Sequence, residues 1–262
     1  MIQLDRLVKR FGDLVAVNDI TLRIPRGEFF AVLGPNAAGK TTTIKIIAGL
    51  MKPTSGRAMV AGFDVQTQPL DARQRLAFVP DFPFLYDKLT PIEFLRFTAR
   101  LFRMPEQVLE GPTQELIARF SLEPYLTKPI ESLSHGTKQR VAIVSALLHD
   151  PAVCVLDEPM VGLDPHHARV LKDVLKEQSL RGMTVFISTH QLSVAEEMAD
   201  RIGIMHEGRL IAVGTREELR RQSGTAGALE QTFLALTAQE ANLRDERRGL
   251  AATGSAPASA RP

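Results

Sequence analysis

Several kinds of residue are scarce in this sequence. It contains no tryptophan, two tyrosines and a single cysteine, Cys154. One cysteine excludes a disulfide framework and a cysteine-rich metal site, and it favours a reducing compartment. No apolar run approaches the length of about eighteen residues that a membrane helix needs, and the N-terminal stretch lacks the apolar segment of a secretory signal. If the protein works at a membrane, we expect another chain to cross it.

An excess of charge of either sign is also missing. Lys and Arg total 32 and Asp and Glu total 30, which gives a net charge of +2 over 262 residues. This balance offers no general argument for nucleic-acid binding, so no nucleic-acid partner is expected. A hydrophobic fraction of 44% excludes intrinsically disordered and collagen-like chains. A chain of this length can bury a full core, in one large domain or in two small ones.

Short apolar runs alternate with helical patterns along most of the chain. The runs at 29–33 and 152–156 are typical of strands that are buried on both faces. Strands that alternate with helices predict an α/β fold with a mostly parallel central sheet. Residues 85–150, approximately, carry helical patterns alone and predict an inserted helical subdomain. Further predicted elements are short strands at 2–4 and 20–24, a helix at 192–201, a hairpin that turns at Glu207-Gly208, and a flexible tail at 237–262.

The first motif follows the apolar run at 29–33. Residues 34–41 read Gly-Pro-Asn-Ala-Ala-Gly-Lys-Thr and fit the phosphate-binding pattern G-x-x-x-x-G-K-[ST] between a strand and a helix. Backbone N–H groups and the positive helix end then face the phosphates of a nucleoside triphosphate. We expect Lys40 to reach the β- and γ-phosphates and the Thr41 hydroxyl to bind Mg²⁺. The predicted nucleotide-binding residues are Gly34, Pro35, Asn36, Ala37, Ala38, Gly39, Lys40, Thr41 and Thr42.

Two acidic residues follow the second buried run. Asp157 and Glu158 come directly after it and precede Pro159, and α/β sheets bind ligands at the carboxyl ends of their strands. We expect Asp157 to hold Mg²⁺ through water. We expect Glu158 to orient or deprotonate the attacking water. Together with the phosphate loop, the two acids indicate nucleotide hydrolysis.

With these motifs the chain resembles an ATP-binding cassette (ABC) protein, the ATPase subunit of an ABC transporter, over residues of about 1–236. The most specific element is Leu-Ser-His-Gly-Thr-Lys-Gln-Arg at 133–140, which is similar to the family signature L-S-G-G-x-x-Q-R. Ordinary P-loop kinases and GTPases lack this segment. Ser134 is expected to cap a helix whose N-terminus presents amides to a phosphate. In the family, that phosphate belongs to ATP held by the phosphate loop of the opposite subunit, so the resemblance implies roles for Ser134 and Gly136 across a dimer.

The resemblance implies three further site residues. Asp164, after Gly162-Leu163, is similar to the D-loop that crosses the dimer interface. His190 ends a strand, as does the switch histidine that contacts the γ-phosphate. Phe11 is similar to the aromatic residue that stacks on adenine. The catalytic set implied by the resemblance is therefore Glu158, His190 and Lys40.

Three positions depart from the family pattern. Ala37 stands where glycine is usual, and a β-carbon costs about 1 kcal/mol where φ is positive. Asp81 replaces the usual glutamine, although a carboxylate can still bind Mg²⁺. His135 replaces the first glycine of the signature. Asp81, His135 and the segment 229–237 are similar to the bacterial exporter-like branch of the family.

The implied fold is a P-loop NTPase with a mostly parallel central sheet, an N-terminal antiparallel β subdomain and the helical subdomain inserted at about 85–150. The ATPase domain would span 1–236. The implied function is ATP binding and hydrolysis with Mg²⁺, to power export by a separate multi-span permease. The chain would pair with a second ABC ATPase subunit, identical or different, at the cytoplasmic face of the plasma (inner) membrane.

Two other functions stay open at the level of sequence. One is a non-transport ABC ATPase of DNA repair or translation. The single cassette argues against this function, as does the lack of sustained heptad repeats or of a block of basic residues. The other is a regulatory cassette that hydrolyses ATP only weakly. Ala37 and Asp81 favour the second, whereas an intact Glu158 and His190 argue against it.

Overall fold

The computed structural model describes residues 1–224 and 228–240. Its strands are β1 (Ile2–Phe11), β2 (Leu14–Ile24), β3 (Phe29–Leu33), β4 (Ser55–Val60), β5 (Phe63–Asp64), β6 (Leu76–Val79), β7 (Val153–Asp157), β8 (Thr184–Thr189), β9 (Arg201–His206) and β10 (Arg209–Gly214). Its helices are α1 (Lys40–Ile47), α2 (Pro69–Gln74), α3 (Pro91–Leu101), α4 (Pro112–Arg119), α5 (His135–Leu147), α6 (Pro165–Leu180), α7 (Leu192–Met198) and α8 (Arg216–Ser223), followed by a helical segment at 229–240.

The larger sheet has six strands in the order β10-β9-β3-β8-β7-β6. Neighbours pair in parallel except in the hairpin of β9 and β10, which turns at Glu207-Gly208 as predicted. β3 and β7 are buried at every residue, as expected of parallel strands that are covered on both faces. The predicted α/β class with a mostly parallel sheet is confirmed. The carboxyl ends of β3 and β7 lie at the same edge, which brings the phosphate loop near the two acids.

The smaller sheet is antiparallel, with the order β2-β1-β4-β5. The implied N-terminal antiparallel sheet is therefore confirmed, but the predicted strands at 2–4 and 20–24 were too short. β1 and β2 continue to a tight turn at Gly12-Asp13. Register shifts between Leu4 and Arg10 break the alternation of inward and outward side chains. The pattern used to recognise strands is lost there, although the pairing continues.

β3 separates two hydrophobic cores, one on each face of the larger sheet. Phe29, Ala31 and Leu33 pack into the core that is shared with α3, α4 and α5. Phe30 and Val32 pack into the core that is shared with the smaller sheet and α1. The chain between β6 and β7 is helical or irregular at its described residues. Its first helix, α3, begins at the capping box of Thr90 and Glu93.

The C-terminal part differs from the sequence prediction in two places. α7 ends at Met198, so the helix predicted at 192–201 was too long, because Arg201 already pairs with Phe30 at the start of β9. The helical segment at 229–240 runs past residue 236, where the tail was predicted to begin. Residues 241–262 of that tail lie outside the described residues. In the described parts of the chain, no helix is both long enough and apolar enough to span a bilayer.

Candidate active site

A cleft of about 360 Å³ lies beyond the carboxyl ends of β3 and β7. It gathers residues from the hairpin of β1 and β2, the loop after β3, the loop after β6 and the end of β7. The residues that line it are Phe11, Leu14, Ala16, Asn36, Ala37, Ala38, Gly39, Lys40, Thr41, Thr42, Asp81, Asp157 and Glu158. The motifs of the sequence predict all of these residues except Leu14 and Ala16.

Lys40 opens α1 at the base of the cleft and is only 7% exposed. Its Nζ donates to the carbonyl oxygens of Gly34 at 2.6 Å and Pro35 at 3.1 Å. The loop thus closes around its own lysine. Burial lowers the pKa of Lys40, and the nearby Glu158 and Asp157 carboxylates partly oppose that shift. An ammonium group has three N–H donors, so a third remains for an anion in the cleft.

The position before Lys40 requires glycine for two reasons, its backbone conformation and the lack of room for a side chain. Gly39 has a φ of 101°, in the left-handed region. A β-carbon there would collide with the carbonyl oxygen of Ala16. The backbone of the phosphate loop therefore lies directly against β2, and only glycine fits this position.

Ala37 adopts a φ of 63°, so the loop needs the conformation for which the family uses glycine. We expect Ala37→Gly to raise the free energy of unfolding by about 0.5–1 kcal/mol, because the strain of a β-carbon at positive φ is removed. Urea denaturation of the two proteins measures the change. Ala38→Gly is the matched control: Ala38 is buried and not at positive φ, and its replacement should lower stability. A less stable Ala37→Gly protein would contradict the argument.

Asp157 and Glu158 occupy the end of β7 in different environments. Asp157 is 2% exposed and accepts a hydrogen bond from the Ser188 hydroxyl of β8. Glu158 has a φ of 47°, and its N–H donates to the Ser188 carbonyl oxygen at 3.0 Å. A left-handed glutamate is strained by about 1–3 kcal/mol, and such strain is concentrated at functional sites. Ser188 is not predicted by any sequence motif, because its contact with Asp157 depends on the pairing of two distant strands.

His190 approaches Glu158 from the neighbouring strand. The Nδ1 atom of His190 lies 2.9 Å from Oε1 of Glu158. The Glu158 side chain is 17% exposed and that of His190 is 55% exposed, so the pair lies where the cleft meets solvent. The imidazole is therefore in contact with one oxygen of the carboxylate.

Apolar side chains form the outer edge of the cleft. Phe11 and Leu14 face each other across the turn of the first hairpin, and both are exposed. Lys9 Nζ lies 4.9 Å from the centre of the Phe11 ring. An exposed ring next to a phosphate loop suits stacking on a nucleobase. Leu14 could have been found from the sequence by pairing residues across the turn at Gly12-Asp13.

The donors around the phosphate loop fit a magnesium ion that arrives with a nucleotide. Thr41, Asp81 and Asp157 line the same cleft, and Asp81 Oδ1 accepts the N–H of Phe82 at 2.9 Å. Across residues 1–224 and 228–240, no group of three or more His, Cys, Asp and Glu side chains could hold a metal by itself. Mg²⁺ typically takes one or two carboxylates and completes its octahedron with phosphates and water.

The remaining predicted residues form a second cluster that does not line the cleft. Ser134 caps α5 and accepts the N–H of Thr137 at 3.2 Å. Asp164 caps α6 and accepts the N–H of His167 at 3.0 Å. A β-carbon at Gly136 would collide with the carbonyl oxygen of Gly162, so the two helix N-termini are in close contact.

Comparison with known proteins gives consistent matches. The profile described as "ABC transporter" matches residues 17–161. The protein named "Probable multidrug ABC transporter ATP-binding protein YbhF" of Escherichia coli (strain K12) is 35% identical over 240 residues. That alignment covers 90% of this chain but only 41% of YbhF, so the chain spans less than half the length of this relative.

Two solved structures are similar over most of the chain. An ATP-binding subunit of an ABC transporter superposes with a TM-score of 0.87 and 36% identity, covering 90% of this chain and 99% of that one. The dimeric, post-hydrolysis state of the ATP-binding cassette MJ0796, bound to ADP and Pi, superposes with a TM-score of 0.75 and 27% identity, covering 82% and 98%.

Proposed function

This chain belongs to the ABC transporter family of ATP-binding proteins, and from that premise we propose that it is the ATP-hydrolysing subunit of an exporter. The observation that carries the proposal is the cleft in which the phosphate loop, Asp157 and Glu158 come together, with His190 in contact with Glu158. Similarity to a protein named as a multidrug transporter component supports export as the direction.

ATP would lie in the cleft with its base on Phe11 and its phosphates on the loop. Lys40 would direct its free N–H donor to the β- and γ-phosphates, together with backbone N–H groups at the start of α1. Thr41, Asp81 and Asp157 would hold Mg²⁺, which when bound neutralises charge on the phosphates. The buried hydrogen bond from Ser188 fixes the Asp157 carboxylate for this role.

Glu158 would act on the attacking water. Its carboxylate lies at the solvent end of the cleft, with Oε1 in contact with Nδ1 of His190, and the other oxygen would face the water. A positioned carboxylate of this kind orients water and accepts its proton as the bond to the γ-phosphorus forms. His190 would hold the carboxylate in place and lie beside the γ-phosphate.

A second ABC subunit, identical or different, would complete each site. Ser134, Gly136 and Asp164 lie outside this chain's own cleft, and the first two lie at a helix N-terminus suited to an anion. The dimeric state of the similar cassette MJ0796 supports pairing. The two cassettes would close around ATP because the closed state binds it more tightly, and hydrolysis would reopen them.

An apolar groove supports a membrane-spanning partner. The groove has a volume of about 330 Å³ and lies between β6 and the helices α3 and α5. Phe84, which lines it, is 89% exposed, and Tyr86 beside it is also exposed. At its floor His149 stacks on Phe102 with ring centres 3.7 Å apart. Burial lowers the pKa of His149 to about 4, so the floor is uncharged at neutral pH.

We propose that a cytoplasmic helix of a separate permease packs in this groove, at the inner face of the plasma membrane.

We expect Phe84→Ala to lower transporter-stimulated ATP turnover about five- to tenfold, because an exposed aromatic anchor is lost from the docking groove. The ATPase activity of the isolated chain should be unchanged, since Phe84 does not line the nucleotide cleft. Leu180→Ala, an equally exposed apolar residue at the end of α6, is the control and should behave like the parent. Equal stimulation of all three proteins would remove the groove from the coupling role.

Purification of the tagged chain from detergent-solubilised membranes tests the proposed function. A multi-span protein in stoichiometric amount, together with steady-state phosphate release by the complex, would support a transporter ATPase. Recovery with ribosomes or DNA, and release stimulated by nucleic acid, would replace it with a non-transport ABC ATPase. A stable complex that binds ATP without releasing phosphate would indicate a regulatory cassette.

A further inference from the structure

The turn between β9 and β10 lies directly against the phosphate loop. Its two central residues, Glu207 and Gly208, have φ values of 44° and 78°, which are typical of a tight two-residue hairpin. The N–H of Gly208 donates to the carbonyl oxygen of Ala38 at 2.9 Å. Because Ala38 lies inside the phosphate loop, this hydrogen bond joins the turn to the loop.

The same turn also holds the first hairpin. The N–H of Asn18 in β2 donates to the carbonyl oxygen of Gly208 at 2.7 Å. With its oxygen turned toward Arg209, the side-chain amide of Asn18 also accepts hydrogen bonds from Nε at 3.2 Å and from Nη2 at 3.0 Å. Gly208 is therefore a backbone bridge, since its N–H binds the phosphate loop and its carbonyl oxygen binds β2.

This bridge leaves no room for a side chain. Gly208 is buried, and a β-carbon there would lie 3.0 Å from the carbonyl oxygen of Ala16 and 3.2 Å from that of Val15. Both contacts are with backbone atoms of β2, which cannot turn aside as the end of a flexible side chain can. The carbonyl oxygen of Ala16 also lies against Gly39. The turn, the phosphate loop and β2 are thus packed backbone to backbone.

The turn and the phosphate loop belong to the same sheet. β9 pairs in parallel with β3, which leads into the loop, and Ile204 lies opposite Leu33. The contact continues at Met205, because a β-carbon at Gly34 would collide with its carbonyl oxygen. The first hairpin belongs to the smaller sheet. The turn is consequently a part of the larger sheet against which the hairpin of the smaller sheet rests.

The two halves of the proposed ATP site come from these two sheets. The phosphate loop follows β3, whereas Phe11 and Leu14 lie at the turn of the first hairpin, and Leu14 is close to Ala16 along β2. A base on Phe11 and phosphates on the loop are parts of one ligand, so both bind only if the two halves are the right distance apart. The contact of β2 with Gly208 fixes that distance.

We propose that Gly208 is a positioning residue for ATP. Its two backbone hydrogen bonds set the distance between the ring that takes the base and the loop that takes the phosphates. The turn thereby determines how well the cleft fits a nucleotide as compared with a bare chain of phosphates. The inference rests on the proposed placement of ATP in the cleft, and it depends neither on a permease nor on hydrolysis.

Competition between ATP and tripolyphosphate tests the proposal, because tripolyphosphate has the phosphates without the base. The full chain is dialysed against labelled ATP with Mg²⁺, and unlabelled ATP or tripolyphosphate displaces the label. In Gly208→Ala the added methyl group must push Val15 and Ala16 away from the turn. We expect the affinity for ATP to fall about fivefold or more and that for tripolyphosphate to stay within about twofold of the parent, because stacking on an aromatic ring contributes strongly to the binding of a base.

Gly62→Ala is the matched control. Gly62 also has a positive φ, of 90°, but a β-carbon there would have no neighbour within 4 Å among the described residues. The control therefore adds similar backbone strain without displacing a strand, and it should keep the parental ratio of the two affinities. Arg209→Ala is a milder second variant, which removes the guanidinium from Asn18 and keeps both backbone hydrogen bonds of Gly208. We expect a smaller fall of the ratio in the same direction.

Melting temperatures show whether each variant is folded. An equal loss of affinity for both ligands in Gly208→Ala, or no loss for either, would overturn the proposal. If Gly208→Ala does not fold, an unchanged ratio in Arg209→Ala would overturn it. Failure of tripolyphosphate to displace ATP from the parent would also do so, because the two halves of the site would then not bind independently.

Phe11→Ala is the reference for loss of stacking and should weaken ATP binding without weakening that of tripolyphosphate. Parental affinity for ATP in Phe11→Ala would refute the proposed position of the base. The ratio of affinities in Gly208→Ala would still decide the role of the turn.

Discussion

Glu158→Gln is expected to lower steady-state ATP turnover by about 100-fold or more while ATP binding is retained, because general-base catalysis contributes about 10²–10⁴-fold. Glutamine keeps the size of the side chain and can still interact with Nδ1 of His190, which lies 2.9 Å from Oε1 in the parent. An amide cannot accept the proton of the attacking water. Binding of ATP would still favour the closed dimer, so the variant should accumulate in that state.

Phosphate release and size-exclusion chromatography with ATP measure the two effects of Glu158→Gln. Glu131→Gln is a suitable control, since Glu131 is an exposed glutamate that pairs with Lys88 at 2.7 Å and lies away from the cleft. Undiminished turnover in Glu158→Gln would remove Glu158 from its catalytic role. Loss of ATP binding in the same variant would mean that the carboxylate supports the structure of the cleft.

The parts of the site that sequence could predict are those made by contiguous residues. The phosphate loop binds anions mainly through consecutive backbone groups, and Asp157 and Glu158 directly follow a strand whose burial is evident from its apolar run. Both segments line the cleft. The open question at Ala37 was whether the loop needs positive φ there, and its φ of 63° answers it.

The parts that sequence could not predict depend on contacts between distant segments. Ser188 meets Asp157 only because β7 and β8 pair in parallel, and no local pattern marks this serine. The turn at Glu207-Gly208 is evident from its residues, but its contacts with the phosphate loop and with β2 exist only once the two sheets are packed together. The full lengths of β1 and β2 could not be predicted for a different reason. Bulges interrupt the alternation of apolar and polar residues by which a strand is recognised in a sequence.

Lys40→Ala is expected to weaken Mg·ATP binding about 100-fold or more, because charge-assisted hydrogen bonds from a nearly buried ammonium group to the β- and γ-phosphates are lost. Lys40 is 7% exposed, so its ammonium group has already lost much of its hydration when the chain folds. A phosphate therefore gains an ammonium group that is largely desolvated before it arrives. Isothermal titration calorimetry with Mg·ATP measures the affinity directly.

The same lysine also holds the loop through the Gly34 and Pro35 carbonyl oxygens, so loss of binding could follow from loss of charge or of loop shape. Lys40→Met separates the two, since methionine retains the buried volume of the side chain without its charge. If the charge is what matters, Lys40→Met should bind as weakly as Lys40→Ala. Lys45→Ala, an exposed lysine in the last turn of the same helix, should bind like the parent. Parental affinity in Lys40→Ala would refute the phosphate-loop assignment, and with it the identification of the cleft as the ATP site.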